Sequence, residues 1–331
     1  MTTLRWGVLG AAGIATKQVI PAMQRGRCTR VTAIASRDPA RAEAVASQLD
    51  IARAHGSYEA LLRDPDVDAV YVPLPNHLHV PWSIRALEAG KHVLCEKPVG
   101  MNAGEARQLE AAAAARPRLK VMEAFMYRFH PQWQRARALV REGAIGDVRA
   151  IHTWFSYHNV DPLNIRNMTE AGGGALMDIG CYGISVARFI FGLEPRRISA
   201  VSDVDARFGT DRQTAATLDF DGAAATFTCA TQLARHQRVE IVGTGGRIEI
   251  AVPFNPPADR PGRILVERRG ATEEIAFEVC NQYTIQGDLF SRAALTGGDV
   301  PTPLADAVAN MHAIDAVRES AACGRWVDVS C

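Results

Sequence analysis

The sequence has little net charge, because 37 lysines and arginines face 36 aspartates and glutamates and leave a formal charge of +1. A chain without an excess of positive charge gives no electrostatic reason to expect nucleic acid or a membrane surface as a partner. It also lacks an apolar run long enough to span a membrane. The apolar run at 8–15 is interrupted by glycines and has almost no basic head, which favours a strand-to-helix turn over a signal peptide.

Paired cysteine motifs are missing as well. The seven cysteines are odd in number and scattered, and none forms a C-x-x-C motif. This argues against a disulfide framework or a thiolate metal site and favours a reducing compartment, so a cytoplasmic location is expected. His77 and His79 are two residues apart, without a cluster of further ligands, and we predict no metal site.

Short apolar runs alternate with helical patterns over the first 122 residues. This alternation is typical of a doubly wound parallel sheet of the Rossmann type. We therefore predict an α/β chain whose first domain, residues 1–122, binds a dinucleotide. Its strands are expected at 4–9, 31–35, 69–72, 93–95 and 120–122.

The predicted second domain, residues 123–331, is an α+β domain with a large, mostly antiparallel sheet. Few helices remain to cover this sheet, so one face is expected to pack on a second subunit in a homodimer or homotetramer. A last helix near 305–322 is a candidate to pack back on the first domain. Strands are expected at 148–158, 196–208, 213–220, 223–232, 238–242, 247–252, 263–268 and 274–279.

The turn after the first strand reads Gly10-Ala11-Ala12-Gly13-Ile14-Ala15. Gly10 and Ala15 fit the dinucleotide pattern G-x-G-x-x-G/A, whereas Ala12 takes the place of the second glycine. The pattern brings N–H groups at a helix start close to a pyrophosphate. A plain strand-to-helix turn would give a similar sequence, so this motif alone leaves both interpretations open.

The second strand ends at Ser36-Arg37, where an NAD site would carry an acid for the adenosine ribose. A hydroxyl and a guanidinium in its place suit a 2′-phosphate, which favours NADP over NAD. The alternative is that Arg37 is an ordinary surface residue.

Another buried strand pattern ends abruptly at Glu96-Lys97-Pro98. Open α/β sheets bind ligands at the carboxyl ends of their strands, and Pro98 would stop the strand and fix the chain after Lys97. A lysine held there, partly out of water, can act on a substrate oxygen. Without the surrounding motifs, a surface ion pair would be the preferred interpretation.

A second candidate element begins at the glycines 172–174 and continues as a predicted helix to about Phe191. In a regular α-helix, Asp178 and Tyr182 would lie one turn apart at the border of the apolar face. A carboxylate beside a phenol makes an acid/base pair if a cation is near, and Lys97 is the candidate cation. A structural tyrosine bonded to an aspartate is an equally good interpretation of the helix alone.

Taken together, these motifs resemble the Gfo/Idh/MocA oxidoreductases over nearly the whole chain. Within that family the chain is similar to the branch of glucose–fructose oxidoreductase, NADP-dependent D-xylose dehydrogenases, dihydrodiol dehydrogenase and sugar 3-ketoreductases. The inositol dehydrogenases of the family carry histidine in place of Tyr182. The resemblance is carried by the segments 10–15, 66–72, 76–79, 95–98, 123–128 and 172–182.

The resemblance implies a role for each matching residue. Lys97 would lie by the nicotinamide and the reacting hydroxyl, Tyr182 would be the general acid/base, and Asp178 would orient or bind the sugar. The bond before Pro98 would be cis, and Arg128 and Arg166 would border the same cleft. The residues implied for the cofactor are Gly10, Ala11, Ala12, Gly13 and Ile14 at the pyrophosphate, Ser36 and Arg37 at the 2′-phosphate, Leu74, Pro75, Asn76, His79 and Glu96 at the nicotinamide ribose, together with Lys97 and Arg166.

The expected function is therefore NADP-dependent hydride transfer to or from a small sugar or polyol, with oxidation of an aldose such as xylose or glucose at C1 as the leading reaction. A ketosugar 3-reductase and a trans-dihydrodiol dehydrogenase are the alternatives within this chemistry. A cofactor-sensing regulator on the same fold is the alternative of another class. Because a sensor has no need of both Lys97 and Tyr182, the enzyme is favoured.

Overall fold

The computed structural model describes residues 2–329. Its strands are β1 (Leu4–Leu9), β2 (Thr29–Ala35), β3 (Arg53–His55), β4 (Ala69–Val72), β5 (His92–Cys95), β6 (Val121–Glu123), β7 (Val148–His158), β8 (Arg197–Val204), β9 (Asp211–Asp219), β10 (Ala224–Ala230), β11 (Gln232–Gly243), β12 (Gly246–Ile250), β13 (Arg263–Arg268), β14 (Ala271–Ala276) and β15 (Val327–Asp328). Its α-helices are α1 (Ile20–Met23), α2 (Pro39–Gln48), α3 (Tyr58–Leu62), α4 (His79–Glu88), α5 (Ala103–Ala114), α6 (Pro131–Arg141), α7 (Cys181–Phe191), α8 (Gln282–Thr296) and α9 (Leu304–Cys323). None of the helices within 2–329 is both long and apolar enough to cross a membrane.

The first unit is built on a six-stranded sheet in the order β3-β2-β1-β4-β5-β6, and all its pairings are parallel. This confirms the predicted Rossmann fold. All four residues of β4 are buried, as are the last three of β5, because helices cover both faces of such a sheet. Polar caps begin the helices between the strands: Asp38 accepts from two N–H groups of α2, and Ser57 caps α3.

The first unit extends to Met126 and also includes Asn281–Val308. The sequence placed its end at residue 122 and assigned 281–308 to the second domain. Helix α8 belongs to the first unit because its polar side chains bind there. Trp6 Nε1 donates to Ser291 Oγ at 3.0 Å, and Asp288 accepts from the N–H groups of Arg27 and Cys28.

The second unit, Tyr127–Cys280 with the chain from Ala309 onward, contains a nine-stranded sheet. Its order is β14-β13-β12-β11-β7-β10-β9-β8-β15, and within this sheet, as described for residues 2–329, only β7 and β10 pair in parallel. This confirms the predicted mostly antiparallel sheet. Helix α7 is buried along nearly its whole length and ends at Gly192 with a φ of +68°.

Three differences from the expected elements have local causes. Strand β11 begins at Gln232, six residues before the predicted start. The prediction missed this part of the strand because the side chains of residues 233–236 are exposed and show no apolar alternation. Strands β3 and β15 were not predicted, since runs of three and two residues are too short to show a period.

Candidate active site

The glycine turn after β1 has the backbone of a nucleotide-binding turn. Gly10 has a φ of +104°, which other residues rarely adopt, and a Cβ there would approach Leu74 to 3.1 Å. At Gly13 a Cβ would have no neighbour within 4 Å, so the space beside it is open. The π-helical segment Ala15–Val19 leads into α1, and no side chain caps its start at Ile14. The turn, with Ala11 and Ala12 inside it, therefore fits a pyrophosphate.

The end of β2 brings two arginines to this turn. Ser36 is buried, whereas Arg37 is exposed, and its positive charge opposes the burial that raises the pKa of Tyr58. Arg41, which the sequence analysis did not single out, donates from Nη2 to the carbonyl of Ala11 at 2.8 Å. Its position in the first turn of α2, the helix that Asp38 caps, is the feature of the sequence that could have identified it. Two guanidinium groups beside a serine fit a 2′-phosphate.

Lys97 lies in a turn after β5 that buried side chains hold on both sides. The hydroxyl of Tyr71 donates to Glu96 Oε1 at 2.6 Å, and the N–H of Val99 donates to Glu123 Oε1 at 2.8 Å. The Lys97–Pro98 peptide bond is cis, as the resemblance implies. Lys97 itself is half-buried. The turn thus places an ammonium at the carboxyl edge of the sheet.

The turn after β4 carries the residues expected at the nicotinamide ribose. Pro75 and Asn76 are half-buried at the neighbouring strand end, and Leu74 is buried under Gly10. His79 does not fit its expected role, because only 1% of it is exposed and both ring nitrogens face main-chain carbonyls. A ring enclosed in this way offers no hydrogen bond to a ribose. Within residues 2–329, no three His, Cys, Asp or Glu side chains are grouped to hold a metal ion.

In the second unit, Asp178 is held by two donors. The hydroxyl of Tyr157 donates to Asp178 Oδ2 at 2.5 Å, and Arg166 Nε lies 2.8 Å from the same oxygen. The negative charge of Asp178 raises the pKa of Arg166, and burial together with that charge raises the pKa of Tyr157. Arg166 therefore stays charged and Tyr157 stays a neutral phenol. Arg166, which the resemblance implies at the cofactor, forms this ion pair within the second unit.

Tyr182 is packed by aromatic rings at the start of α7. Its ring centroid lies 5.8 Å from that of Tyr127, 5.7 Å from that of Phe155 and 4.9 Å from that of Phe254. Only 5% of Tyr182 is exposed, so its ring has little freedom to move. Arg128, expected at the cleft, is buried and donates to Ser185 Oγ at 2.8 Å.

The helix that carries Asp178 and Tyr182 is not regular. Residues Leu176–Gly180 are π-helical, and the α-helix begins at Cys181. The predicted spacing of one α-helical turn between Asp178 and Tyr182 is therefore wrong for this segment. Single π-turns inside helices are rare overall, and those that occur are often found at functional sites.

Asp211 of β9 caps this helix, a contact that the sequence did not predict. Its Oδ2 accepts from the N–H of Leu176 at 2.8 Å and from the hydroxyl of Thr214 at 2.7 Å. Burial raises the pKa of Asp211 to about 6. Gly174, with a φ of +111°, is required here because a Cβ would overlap the Asp211 carboxylate. No local pattern reveals a cap that arrives from a strand 35 residues away.

Two family models match the chain. The model described as "Oxidoreductase family, NAD-binding Rossmann fold" matches residues 4–125, and the model described as "GFO/IDH/MocA C-terminal domain" matches residues 133–249. Each match therefore lies within one of the two units and covers the larger part of it.

Relatives match over almost the full length. An uncharacterized oxidoreductase of Rhizobium meliloti is 44% identical over 99% of this chain and 100% of its own. A D-xylose 1-dehydrogenase (NADP(+)) of Haloferax volcanii is 39% identical over 98% of this chain and 100% of its own. A 3-ketoreductase from Actinomadura kijaniata was solved in complex with NADP and TDP-benzene. It is 34% identical over 96% of this chain and 98% of its own, with a TM-score of 0.91.

Proposed function

This chain belongs to the Gfo/Idh/MocA family of oxidoreductases, and we propose that it transfers hydride between NADP and a sugar, oxidising an aldose such as xylose or glucose at C1. The observation that carries the proposal is a pair of features in one chain. One unit has arginines beside the glycine turn of a parallel sheet, and the other has a carboxylate held by an arginine shortly before a buried tyrosine. The similarity to an NADP-dependent D-xylose 1-dehydrogenase supports the choice of an aldose.

We assign the proton transfer to Tyr182 and the stabilisation of negative charge to Lys97. The phenolate of Tyr182 takes the proton of the sugar hydroxyl during oxidation and returns it during reduction. The ammonium of Lys97 stabilises the oxygen that develops negative charge. Asp178, fixed by Tyr157 and Arg166, orients the sugar through its hydroxyls. NADP supplies the hydride acceptor when it is bound.

NADP is preferred to NAD because of the charges at the end of β2. Ser36, Arg37 and Arg41 are the proposed ligands of the 2′-phosphate, and no acid of β2 takes the place that would bind a ribose 2′-hydroxyl. The proposed pyrophosphate ligands are the N–H groups of residues 10–14. Leu74, Pro75, Asn76, Glu96 and Lys97 remain the proposed residues of the nicotinamide side.

A ketosugar reductase is the second candidate. The similarity in fold to a 3-ketoreductase, with a TM-score of 0.91, favours it, and the same residues would act in the reverse direction. Tyr182 would then donate its proton to the carbonyl oxygen that receives hydride.

The test is NADPH formation by the purified protein with NADP⁺ and a panel of aldoses, polyols and aromatic diols, with NAD⁺ in parallel. Turnover of an aldopentose or aldohexose with NADP⁺, and much less with NAD⁺, is expected. Oxidation of aromatic diols alone would identify a dihydrodiol dehydrogenase. NADPH consumption with a ketosugar and no aldose oxidation would identify the reductase, and tight NADP binding without any turnover would overturn both proposals.

We also propose that the second unit pairs with a second copy through its sheet, in a homodimer or homotetramer. A groove across β8, β9 and β10 is lined by small side chains such as Val201, Thr217 and Thr226, and 70% of Val201 is exposed. Such a surface suits close packing of one sheet on another. Sedimentation of the protein should show a dimer or tetramer that Val201→Arg dissociates, and a monomer at micromolar concentration would contradict the proposal.

The proposed location is the cytoplasm. None of the cysteines within residues 2–329 forms a disulfide, which suits a reducing compartment. Fractionation of cells that produce the protein would test this, and activity outside the cytoplasm would contradict it.

A further inference from the structure

One buried histidine links the two turns that follow β4 and β5. His79 is the first residue of α4, and its Nδ1 lies 2.7 Å from the carbonyl oxygen of Pro98. Its Nε2 lies 2.7 Å from the carbonyl oxygen of Leu74. Pro98 directly follows Lys97, and Leu74 begins the turn that contains Pro75 and Asn76. A single side chain therefore contacts the main chain of both turns.

The ring is neutral near pH 7. Burial lowers the pKa of His79 to about 4. The two carbonyls favour the charged ring and raise this pKa, but the effect of burial is larger. A neutral imidazole has one N–H donor, so it donates to one carbonyl at a time. One carbonyl therefore accepts the N–H, while the other is contacted by the unprotonated ring nitrogen, and a substitution can remove either contact without the other.

We propose that His79 is a positioning residue that sets the place of Lys97 through its link to Pro98 and the place of the nicotinamide-side turn through its link to Leu74. The proposal rests on the proposed function, which gives Lys97 and that turn their tasks. His79 itself touches neither substrate nor cofactor, since its ring is enclosed by the chain. Its effect is transmitted through two carbonyl groups.

Two amide variants separate the links. The amide nitrogen of asparagine takes the place of Nδ1, and that of glutamine takes the place of Nε2. His79→Asn therefore keeps a donor toward Pro98, and His79→Gln keeps a donor toward Leu74. His79→Gln should lower kcat about tenfold or more while the KM for NADP⁺ changes little, because a displacement of about 1 Å can cost ~10²-fold in rate. His79→Asn should raise the KM for NADP⁺ about fivefold or more and largely keep kcat.

Calorimetric titration with NADP⁺ provides the readout that does not depend on turnover. His79→Asn should weaken NADP⁺ binding, and His79→Gln should not. His130→Gln is the matched control, because His130 is also buried with a pKa lowered by burial to about 4, and it caps α6. This control should lower the melting temperature without separating kcat from the KM for NADP⁺.

Equal effects of the two amide variants on kcat and on NADP⁺ affinity would overturn the proposal, because a merely structural histidine would act in this way. Wild-type rates and affinity in both variants would overturn it as well. If the wild-type protein turns over no sugar, the proposed function fails. The calorimetric difference between the two variants then still decides whether His79 positions the Leu74 turn.

Discussion

Lys97 and Asp178 are held in place by different means in the two units. The turn that carries Lys97 is bound through its main chain, at Val99 and at Pro98, by the buried side chains of Glu123 and His79. Asp178 is bound through its own carboxylate by Tyr157 and Arg166. A main-chain link fixes the position of a group and leaves its charge alone, whereas a contact with an ionised side chain also fixes its charge.

The difference suits the proposed roles. A lysine that stabilises a developing negative charge needs its ammonium to be available to the reacting oxygen. A carboxylate that orients a sugar needs to stay ionised and to keep one direction, which the guanidinium of Arg166 ensures. The carboxylate of Asp178 is thus paired with a guanidinium of its own unit, and Lys97 is positioned through the main chain of its turn.

The first prediction concerns one residue from each unit. Lys97→Met and Tyr182→Phe should each lower kcat by about 10²–10⁴-fold, the usual range for loss of acid/base assistance, and should leave NADP⁺ binding intact. Steady-state kinetics and calorimetry measure the two quantities. Variants that lose cofactor binding and keep kcat at saturating NADP⁺ would contradict the assigned roles.

The second prediction concerns the cap of the helix in the second unit. The pKa of Asp211 is raised in the folded protein to about 6, so the unfolded chain releases this proton at lower pH. Folding therefore favours the protonated acid, and the contribution of Asp211 to stability declines as the pH rises from about 4 to about 6. Asp211→Asn should gain stability relative to wild type over this window, by about 3 kcal/mol.

Urea unfolding of wild type and Asp211→Asn at several pH values measures this difference, and the buried histidines cancel between the two proteins. Asp205→Asn is the control of opposite sign. Hydrogen bonds from the side chain of Gln232 and from two N–H groups lower the pKa of Asp205, so this variant should lose stability relative to wild type as the pH rises. A pH-independent difference for Asp211→Asn would refute the raised pKa.

The third prediction tests whether the second unit needs the charge of Asp178. Asp178→Asn should lower kcat/KM for the sugar by about 10–10²-fold, because an amide no longer forms an ion pair with Arg166. The dissociation constant of NADP⁺ should stay within about twofold, since the cofactor is assigned to the first unit. Full activity of this variant would show that the charge of Asp178 is not needed and that its position alone is sufficient.

The fourth and smallest effect concerns the arginines at the glycine turn. Arg37→Ala and Arg41→Ala should each weaken NADP⁺ binding about tenfold, as expected for one charge-assisted hydrogen bond, and leave NAD⁺ binding unchanged. Arg85→Ala is the control, because Arg85 is exposed and lies over the ring of Trp82. Equal losses for NAD⁺ and NADP⁺ would place both arginines away from the 2′-phosphate.

The first unit could be predicted closely because its signals are local. Continuous apolar runs and Gly10 identify the parallel strands and the first turn, and the proline after Lys97 marks the end of β5. Arg41 was missed, since a helical arginine is usually a surface residue. His79 was misplaced, because its motif indicates proximity to the cofactor and says nothing about the direction of the ring.

The second unit was harder to predict, because the contacts that form its site are not local in the sequence. The strands of its sheet followed from alternation and turns such as Asp221-Gly222, where φ is positive at both residues. The π-turn at Leu176–Gly180 and the donors to Asp178 depend on segments far apart in the chain. Tyr157 comes from β7, Arg166 from the short 3₁₀ helix Ile165–Asn167, and the cap from β9.

The sequence by itself determined the two kinds of sheet, the glycine turn, the turn of Lys97 and the family to which they belong. These depend on the hydrophobic period and on backbone restrictions of single residues, which act within a few positions. Only the tertiary structure decided that Arg166 binds Asp178, that Asp211 caps the helix of Tyr182, and that the ring of His79 lies between two main-chain carbonyls. Such contacts join residues that only folding brings together, and their strength depends on a burial that no local pattern reveals.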